Sequence, residues 1–346
     1  MKAAVLYAND DIRFVDFPAP EIRTGTVKIK IRACGICGSD IPRALYNGAH
    51  SYPIILGHEF AGDIVETGEG VKGLRVGDTV TGAPLLPCMH CGDCQTGNYA
   101  LCKHYGFIGS RQQGGFAEYI VIPEANAVRY DPTIPYTKAA MFEPSTVALH
   151  GLLCNNYTGG KNVAVLGCGT IGVFTVQWAK LFGAKHIAAF DIDEGRLDLA
   201  RRLGADEAVN TRDKGFMETT SLCSGGFDFV FETAGSPVTM RAAFEIAGNK
   251  SCLCFVGTPH TDLTFTPEQW ENMNRKEFRL TGSWMSYSAP FPGREWSLTA
   301  HFFKNGRLKL DPGMIFKTYP LAQAAEAFAL FKNPSQVHGK VLLIND

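Results

Sequence analysis

The sequence predicts an α/β protein in two parts, a small barrel-like all-β unit followed by a doubly wound parallel sheet. Three observations carry this. The first 150 residues hold short apolar segments punctuated by glycines near 57, 62, 68, 70, 73, 77 and 82, the pattern of short strands and turns. From about residue 161 the pattern changes to short, doubly apolar runs alternating with helical stretches, which implies a parallel sheet covered on both faces. The chain has 346 residues, 45% hydrophobic and 19% charged. That suits two ordinary domains and excludes disorder.

The elements follow in order. Residues 27–31 alternate apolar and polar, as a half-buried strand does, and 117–122 reads as a later strand. Residues 162–166 form an apolar run ending in glycines, followed by a helix over 171–182 and a buried strand over 186–191. A charged helix is expected over 194–203. Buried strands are expected over 227–232, 252–257 and 278–282. The tail reads as an Ala-rich helix over 321–331 and a last strand over 341–344.

Charge and cysteine usage exclude several classes of function. Thirty-three basic residues against 34 acidic ones leave a net charge of -1, so there is no basic footprint for nucleic acid or an anionic membrane. No apolar run approaches the roughly 18 residues of a membrane helix. The first ten residues hold too short an apolar stretch for a signal peptide, so a cytoplasmic location is expected. Eleven cysteines is an odd count in a long chain, unlike a secreted disulfide scaffold.

Three constellations carry chemistry. Cys88, Cys91, Cys94 and Cys102 follow the spacing C-x2-C-x2-C-x7-C. Four thiolates on one turning loop suit a structural zinc with no open position; an iron–sulfur cluster or redox-active thiols are the rival readings. Gly167-Cys168-Gly169-Thr170-Ile171-Gly172 follows a buried strand and opens a helix, and Asp191 closes the next strand. This is the context that a dinucleotide fingerprint requires. Gly167 permits the tight turn, Gly169 admits the pyrophosphate, Gly172 packs the helix close, and Thr170 and Ile171 start the helix that faces the phosphates. Asp191 would accept from ribose hydroxyls and repel a 2′-phosphate, favouring NAD; Arg196 lies near the adenine edge, where it weakens that preference or is simply solvated. The third set is dispersed: Cys37, His58, Glu59 and Glu143. They offer one thiolate, one imidazole and one or two carboxylates, which suits a catalytic zinc with an open position. Asp40 is a candidate to fix the imidazole tautomer.

The segment Gly57-His58-Glu59-Phe60-Ala61-Gly62, the four-cysteine lobe and the glycine fingerprint occur together and in this order. With them the chain resembles the zinc-dependent medium-chain alcohol and polyol dehydrogenases over essentially its whole length. The resemblance implies a GroES-like β-barrel catalytic domain over 1–150, with a structural zinc lobe at 85–105. A Rossmann NAD-binding domain with a parallel six-stranded sheet would cover 151–286, and a C-terminal segment over 287–346 would return to the first domain. It also implies two zinc ions per subunit, a small-molecule substrate, and a homodimer or homotetramer, with residues 265–278 where Rossmann sheet edges would pair.

Glu143 in Phe142-Glu143-Pro144-Ser145 resembles the sorbitol and threonine dehydrogenase branches, in which a carboxylate takes the place of a third cysteine. Residues 47–50, 84–88, 107–111 and 282–285 resemble most the galactitol-1-phosphate 5-dehydrogenase branch. That implies oxidation of galactitol 1-phosphate to tagatose 6-phosphate. Sorbitol, arabitol phosphate and threonine are the alternative substrates, and a non-catalytic NAD-binding regulator is the alternative of another class. The resemblance gives Cys37, His58 and Glu143 as metal ligands, Ser39 as a proton relay toward His50, and Glu59 as a group touching zinc directly or through water. Arg43 and Arg111 are the candidate donors to a substrate phosphate. Lys340 reads more simply as a solvated lysine than as a cofactor contact. The cysteines at 34, 154, 168, 223, 252 and 254 read as small buried residues.

Overall fold

A computed structural model describes residues 1–213, 215, 216, 220 and 225–345; Cys223 lies outside the described residues. The chain divides into two compact units. One comprises residues 1–143, 287–306 and 312–346, the other 144–286 and 307–311.

The first unit is built on the long strand Thr26–Gly35, whose Val27, Ile29 and Ile31 are fully buried and alternate with half-buried lysines. It pairs antiparallel with Glu59–Thr67, Tyr119–Pro123 and the C-terminal strand Lys340–Ile344. Thr79–Gly82, Ala127–Arg129 and Ile315–Pro320 complete a seven-stranded sheet. Its apolar face packs with Lys2–Ala8 around Val5, Phe60, Phe116, Phe328 and Val341. One register matters for the chemistry. Gly35 stands opposite Glu59 on one side and Leu342 on the other, so the end of the sequence is stitched beside residues 35–59.

The second unit holds a six-stranded parallel sheet. Its order is Glu207–Asn210, His186–Asp191, Asn162–Leu166, Phe227–Glu232, Ala247–Phe255 and Arg279–Gly282. The order reverses direction beside the first strand of the fingerprint, the switch point at which doubly wound sheets bind ligands. Phe190, Phe227, Phe244 and Phe278 fill its core.

Several local expectations need correction. The strand expected at 117–122 is Tyr119–Pro123, with Ala117 in a separate bridge to Ala3. The strand after 278 is not buried: Arg279–Gly282 is the sheet edge, and Leu280 is 43% exposed. The helix over 321–331 splits into the 3₁₀ turn Leu321–Gln323, the helix Ala324–Ala329 and the 3₁₀ turn Leu330–Lys332. Apolar recurrence every three residues does not separate the two helix types. Glu207–Asn210 is half-buried throughout and too short to stand out by pattern. Among the described residues no helix is long and apolar enough to cross a membrane.

Candidate metal centres and dinucleotide loop

In the first unit, Cys37, His58 and Glu59 bring their ligand atoms within 4.8 Å of one another. Cys37 lies two residues past the long strand, just before the turn at 38 and 39, and His58 immediately precedes the strand Glu59–Thr67 that Glu59 opens. Asp40 lies wholly buried at the start of the helix Asp40–Leu45. Its Oδ2 accepts from the Cys37 N–H at 3.1 Å, and its Oδ1 faces His58 Nδ1 at 3.5 Å. The Phe107 ring packs edge-on against the imidazole, with centroids 5.4 Å apart. Burial opposes charge on His58, but Asp40 and Cys37 hold its pKa well above the usual value.

Glu143 stands outside the 4.8 Å group but in its field. It is buried in the first turn of the helix Phe142–Cys154. Burial pushes its carboxyl up to about 7, with His58 and Lys340 opposing and Glu59 and Asp40 reinforcing.

Lys340, read as a solvated lysine, is instead only 6% exposed. Its ammonium donates to Glu59 Oε1 at 2.7 Å and to the Ile36 carbonyl at 3.2 Å. Burial opposes this charge, while Glu59 and Cys37 raise the pKa above its ordinary value. Lys340 held Glu59 by one oxygen; the other, Oε2, is buried without a hydrogen-bond partner. Oε2 lies against the Gly35 Cα, where any Cβ would collide with it. The only sequence sign of this pair was a Gly-Lys step at the head of an apolar strand.

These residues fit a divalent metal. The donor set of thiol, imidazole and carboxylate is that of a catalytic zinc, and the orphaned Glu59 oxygen belongs to that set. Asp40, Glu59 and Glu143 are all buried, and burying carboxylates without matching cations costs several kcal/mol each. A dication would offset that charge.

Around this centre, Ser39 Oγ donates to Cys37 Sγ at 3.5 Å. Arg43 reaches back one helical turn and donates to the Ser39 carbonyl at 2.6 Å. His50 is exposed. Partial desolvation and then the charges of Arg111 and Arg43 lower its pKa, so both guanidinium groups act on the His50 ring. Arg111, also exposed, lies over the Tyr105 ring at 4.7 Å.

The four-cysteine lobe gathers Cys88, Cys91, Cys94 and Cys102 within 4.8 Å, with Cys88 Sγ 4.0 Å from Cys94 Sγ. A disulfide needs about 2.05 Å; zinc–sulfur bonds of about 2.3 Å in a tetrahedron place sulfurs about 3.8 Å apart. The thiols therefore fit one shared metal ion. The N–H groups of Cys88 and Cys91 already donate to Cys102 Sγ and Cys88 Sγ at 3.3 and 3.4 Å.

In the second unit the glycine loop has three separate constraints. Gly167 has φ +95°, and a Cβ there would meet Ala234 Cβ at 2.8 Å. At Gly172 a Cβ would fall on the Gly167 carbonyl oxygen. At Gly169 nothing lies within 4 Å of that position, so the space is open. Thr170 and Ile171 begin the helix Thr170–Leu181, which no side chain caps, leaving first-turn N–H groups for an anion. Thr233, which sequence patterns do not single out, donates to the Leu166 and Gly167 carbonyls at 3.1 and 2.9 Å.

Asp191 Oδ2 accepts from the Cys168 N–H at 2.7 Å, and Oδ1 from the N–H groups of Ile192 and Asp193 at 2.8 and 3.0 Å. Arg196 Nη1 lies 3.9 Å from Oδ1. Of the cysteines read as buried, 34, 168, 252 and 254 are buried, but Cys154 is exposed at a helix end.

Two predictions follow from the separate constraints. Gly169→Val should weaken dinucleotide binding at least tenfold in calorimetry with the unfolding midpoint unchanged. Gly172→Ala should lower that midpoint, by roughly 1–3 kcal/mol of overpacking strain. In the lobe, Cys94→Ser should lower both the zinc content and the thermal midpoint, whereas Cys37→Ala should lower the zinc content alone; metal analysis and calorimetry check both.

Comparison with known proteins agrees with this chemistry. The alcohol dehydrogenase GroES-like domain family matches residues 23–132, and the zinc-binding dehydrogenase family matches residues 170–301. Galactitol 1-phosphate 5-dehydrogenase of Escherichia coli K12 is 41% identical, over 99% of this chain and 100% of its own. The crystal structure of galactitol-1-phosphate dehydrogenase from Escherichia coli superposes with a TM-score of 0.94 at 40% identity, covering 100% of both chains. A zinc-binding dehydrogenase from Sinorhizobium meliloti, solved bound to NADP, gives 0.91 at 30% identity, covering 99% of each. The chain belongs to the zinc-dependent medium-chain alcohol and polyol dehydrogenases.

Proposed function

We propose that this dehydrogenase oxidises a secondary alcohol of a phosphorylated hexitol with NAD, and that the substrate is galactitol 1-phosphate, giving tagatose 6-phosphate. The observation that carries the phosphate is the grouping of Arg43, His50 and Arg111, on the segments that flank Cys37 and Phe107. Full-length similarity to a galactitol-1-phosphate dehydrogenase supports the hexitol.

Cys37, His58 and the carboxylates of Glu59 and Glu143 would hold the catalytic zinc, and the four lobe cysteines a structural one. When bound, the catalytic ion polarises a hydroxyl and favours loss of its proton. Asp40 orients the His58 ring through Nδ1. Ser39 accepts the hydroxyl proton and passes it toward His50, whose lowered pKa keeps its imidazole neutral and able to take it. A bound NAD would supply the nicotinamide ring that takes up a hydride from the same carbon. The glycine loop and the helix at Thr170 hold the pyrophosphate, and Asp191 the adenosine ribose. The exposed edge Arg279–Gly282, with Leu280 and the neighbouring Trp284 exposed, is the surface we assign to pairing with a second subunit. It begins just past the segment named from the sequence.

Steady-state rates on galactitol 1-phosphate, sorbitol and threonine test this reading. The phosphorylated hexitol should be preferred by at least tenfold in kcat/KM. Arg111→Ala should raise its KM about tenfold while leaving the sorbitol rate unchanged. Equal use of sorbitol by the unaltered enzyme contradicts the phosphate assignment.

A further inference from the structure

Away from both sites, three cysteines of the second unit gather at one helix end. Cys154 is the last residue of the helix Phe142–Cys154 and, among the described residues, the one exposed cysteine. Cys252 and Cys254 are buried on the strand Ala247–Phe255. The Cys154 and Cys254 thiols converge on one acceptor, the Gly151 carbonyl oxygen, at 3.6 and 3.8 Å. The buried Asn155 side chain fixes the group. Its amide nitrogen donates to the Gly151 carbonyl at 2.7 Å and to Cys154 Sγ at 3.4 Å, and its oxygen accepts from Cys252 Sγ at 2.9 Å.

Metal binding is not the use of this cluster. Among the described residues only two groups bring three ligand atoms within 4.8 Å, and this is neither of them. The two converging thiols are unlike each other. The Cys254 hydrogen bond, helped by His150 and Ser283, pulls the Cys154 thiol down to about 6 against burial. Cys154 and burial together hold Cys254 well above its ordinary value. Both shifts favour charge on the exposed sulfur over the buried one. An accessible thiolate beside a second thiol is the arrangement that peroxides oxidise.

We propose that Cys154 is a site of oxidation by hydrogen peroxide, with Cys254 as its resolving partner. The Cys154 thiolate attacks one peroxide oxygen, the O–O bond breaks, and Cys154 becomes a sulfenic acid while the departing hydroxide is protonated to water. Cys254 then gives up its proton and attacks the Cys154 sulfur. The S–O bond breaks, a second water leaves with that proton, and a disulfide forms. Two thiols have been oxidised and one peroxide reduced. The sulfurs must leave their shared acceptor and close to about 2.05 Å; Cys154 can move for this because it is exposed at a helix terminus.

The test treats the reduced, zinc-loaded enzyme with hydrogen peroxide in the presence of dimedone and maps every cysteine by peptide mass spectrometry. The expected product is a Cys154–Cys254 disulfide. In Cys254→Ser that disulfide is lost and dimedone labelling of Cys154 rises roughly tenfold; in Cys154→Ala neither product forms. Cys254→Ala is the second variant should the serine not fold. Three results would overturn the proposal: Cys154 staying reduced while other cysteines oxidise, a Cys154 disulfide to Cys252 instead, or labelling unaffected by loss of Cys254.

Discussion

The buried ion pair between Lys340 and Glu59 is the constraint on which the first unit turns. Asp40, Glu59 and Glu143 are brought out of water beside a thiol and an imidazole, with one ammonium among them. Such a group is unstable as an isolated set of charges. Lys340 offsets part of the imbalance and holds one Glu59 oxygen in place, while the other is buried without a hydrogen-bond partner. A dication accounts for the rest. This also explains why the end of the chain must return to the first unit. The last strand pairs with residues 33–35, and that pairing carries Lys340 to Glu59 and Ile36.

The second unit meets a charged ligand in a different way. The surface we assign to the phosphates is made of backbone, with an open space at Gly169 and the uncapped start of a helix. Asp191 is drawn into the same loop by the Cys168 N–H, so the carboxylate we assign to the ribose also fixes the loop. A nearly neutral chain can therefore bind a dinucleotide without a basic surface. A phosphorylated substrate, as proposed above, would by contrast be recognised by a few placed cations, and Arg43 and Arg111 beside His50 are the ones we assign to it.

What the sequence made legible was local. The four lobe cysteines span fifteen positions, and the glycine loop's function depends on its own backbone and the strand before it. Both could be read from spacing. The four inner strands of the parallel sheet stood out because burial on both faces leaves a nearly unbroken apolar run. What was not legible depended on distant pairing. Lys340 and Glu59 are separated by 281 positions, and no periodicity links them. Edge exposure of Arg279–Gly282 depends on the absence of a further strand beyond it, which residue type does not encode. Cys154 looked like any small apolar residue until the helix ended there.

The most direct test of the account is anomalous diffraction at the zinc edge from crystals of the zinc-replete protein. The account predicts two peaks in each chain. One should lie among Cys88, Cys91, Cys94 and Cys102, and the other within bonding distance of Cys37, His58 and a carboxylate oxygen of Glu59 or Glu143, with Lys340 still paired to Glu59. A full peak at the lobe with none beside Cys37 and His58 would contradict it, because the buried carboxylates would then stand without the charge they are arranged to meet.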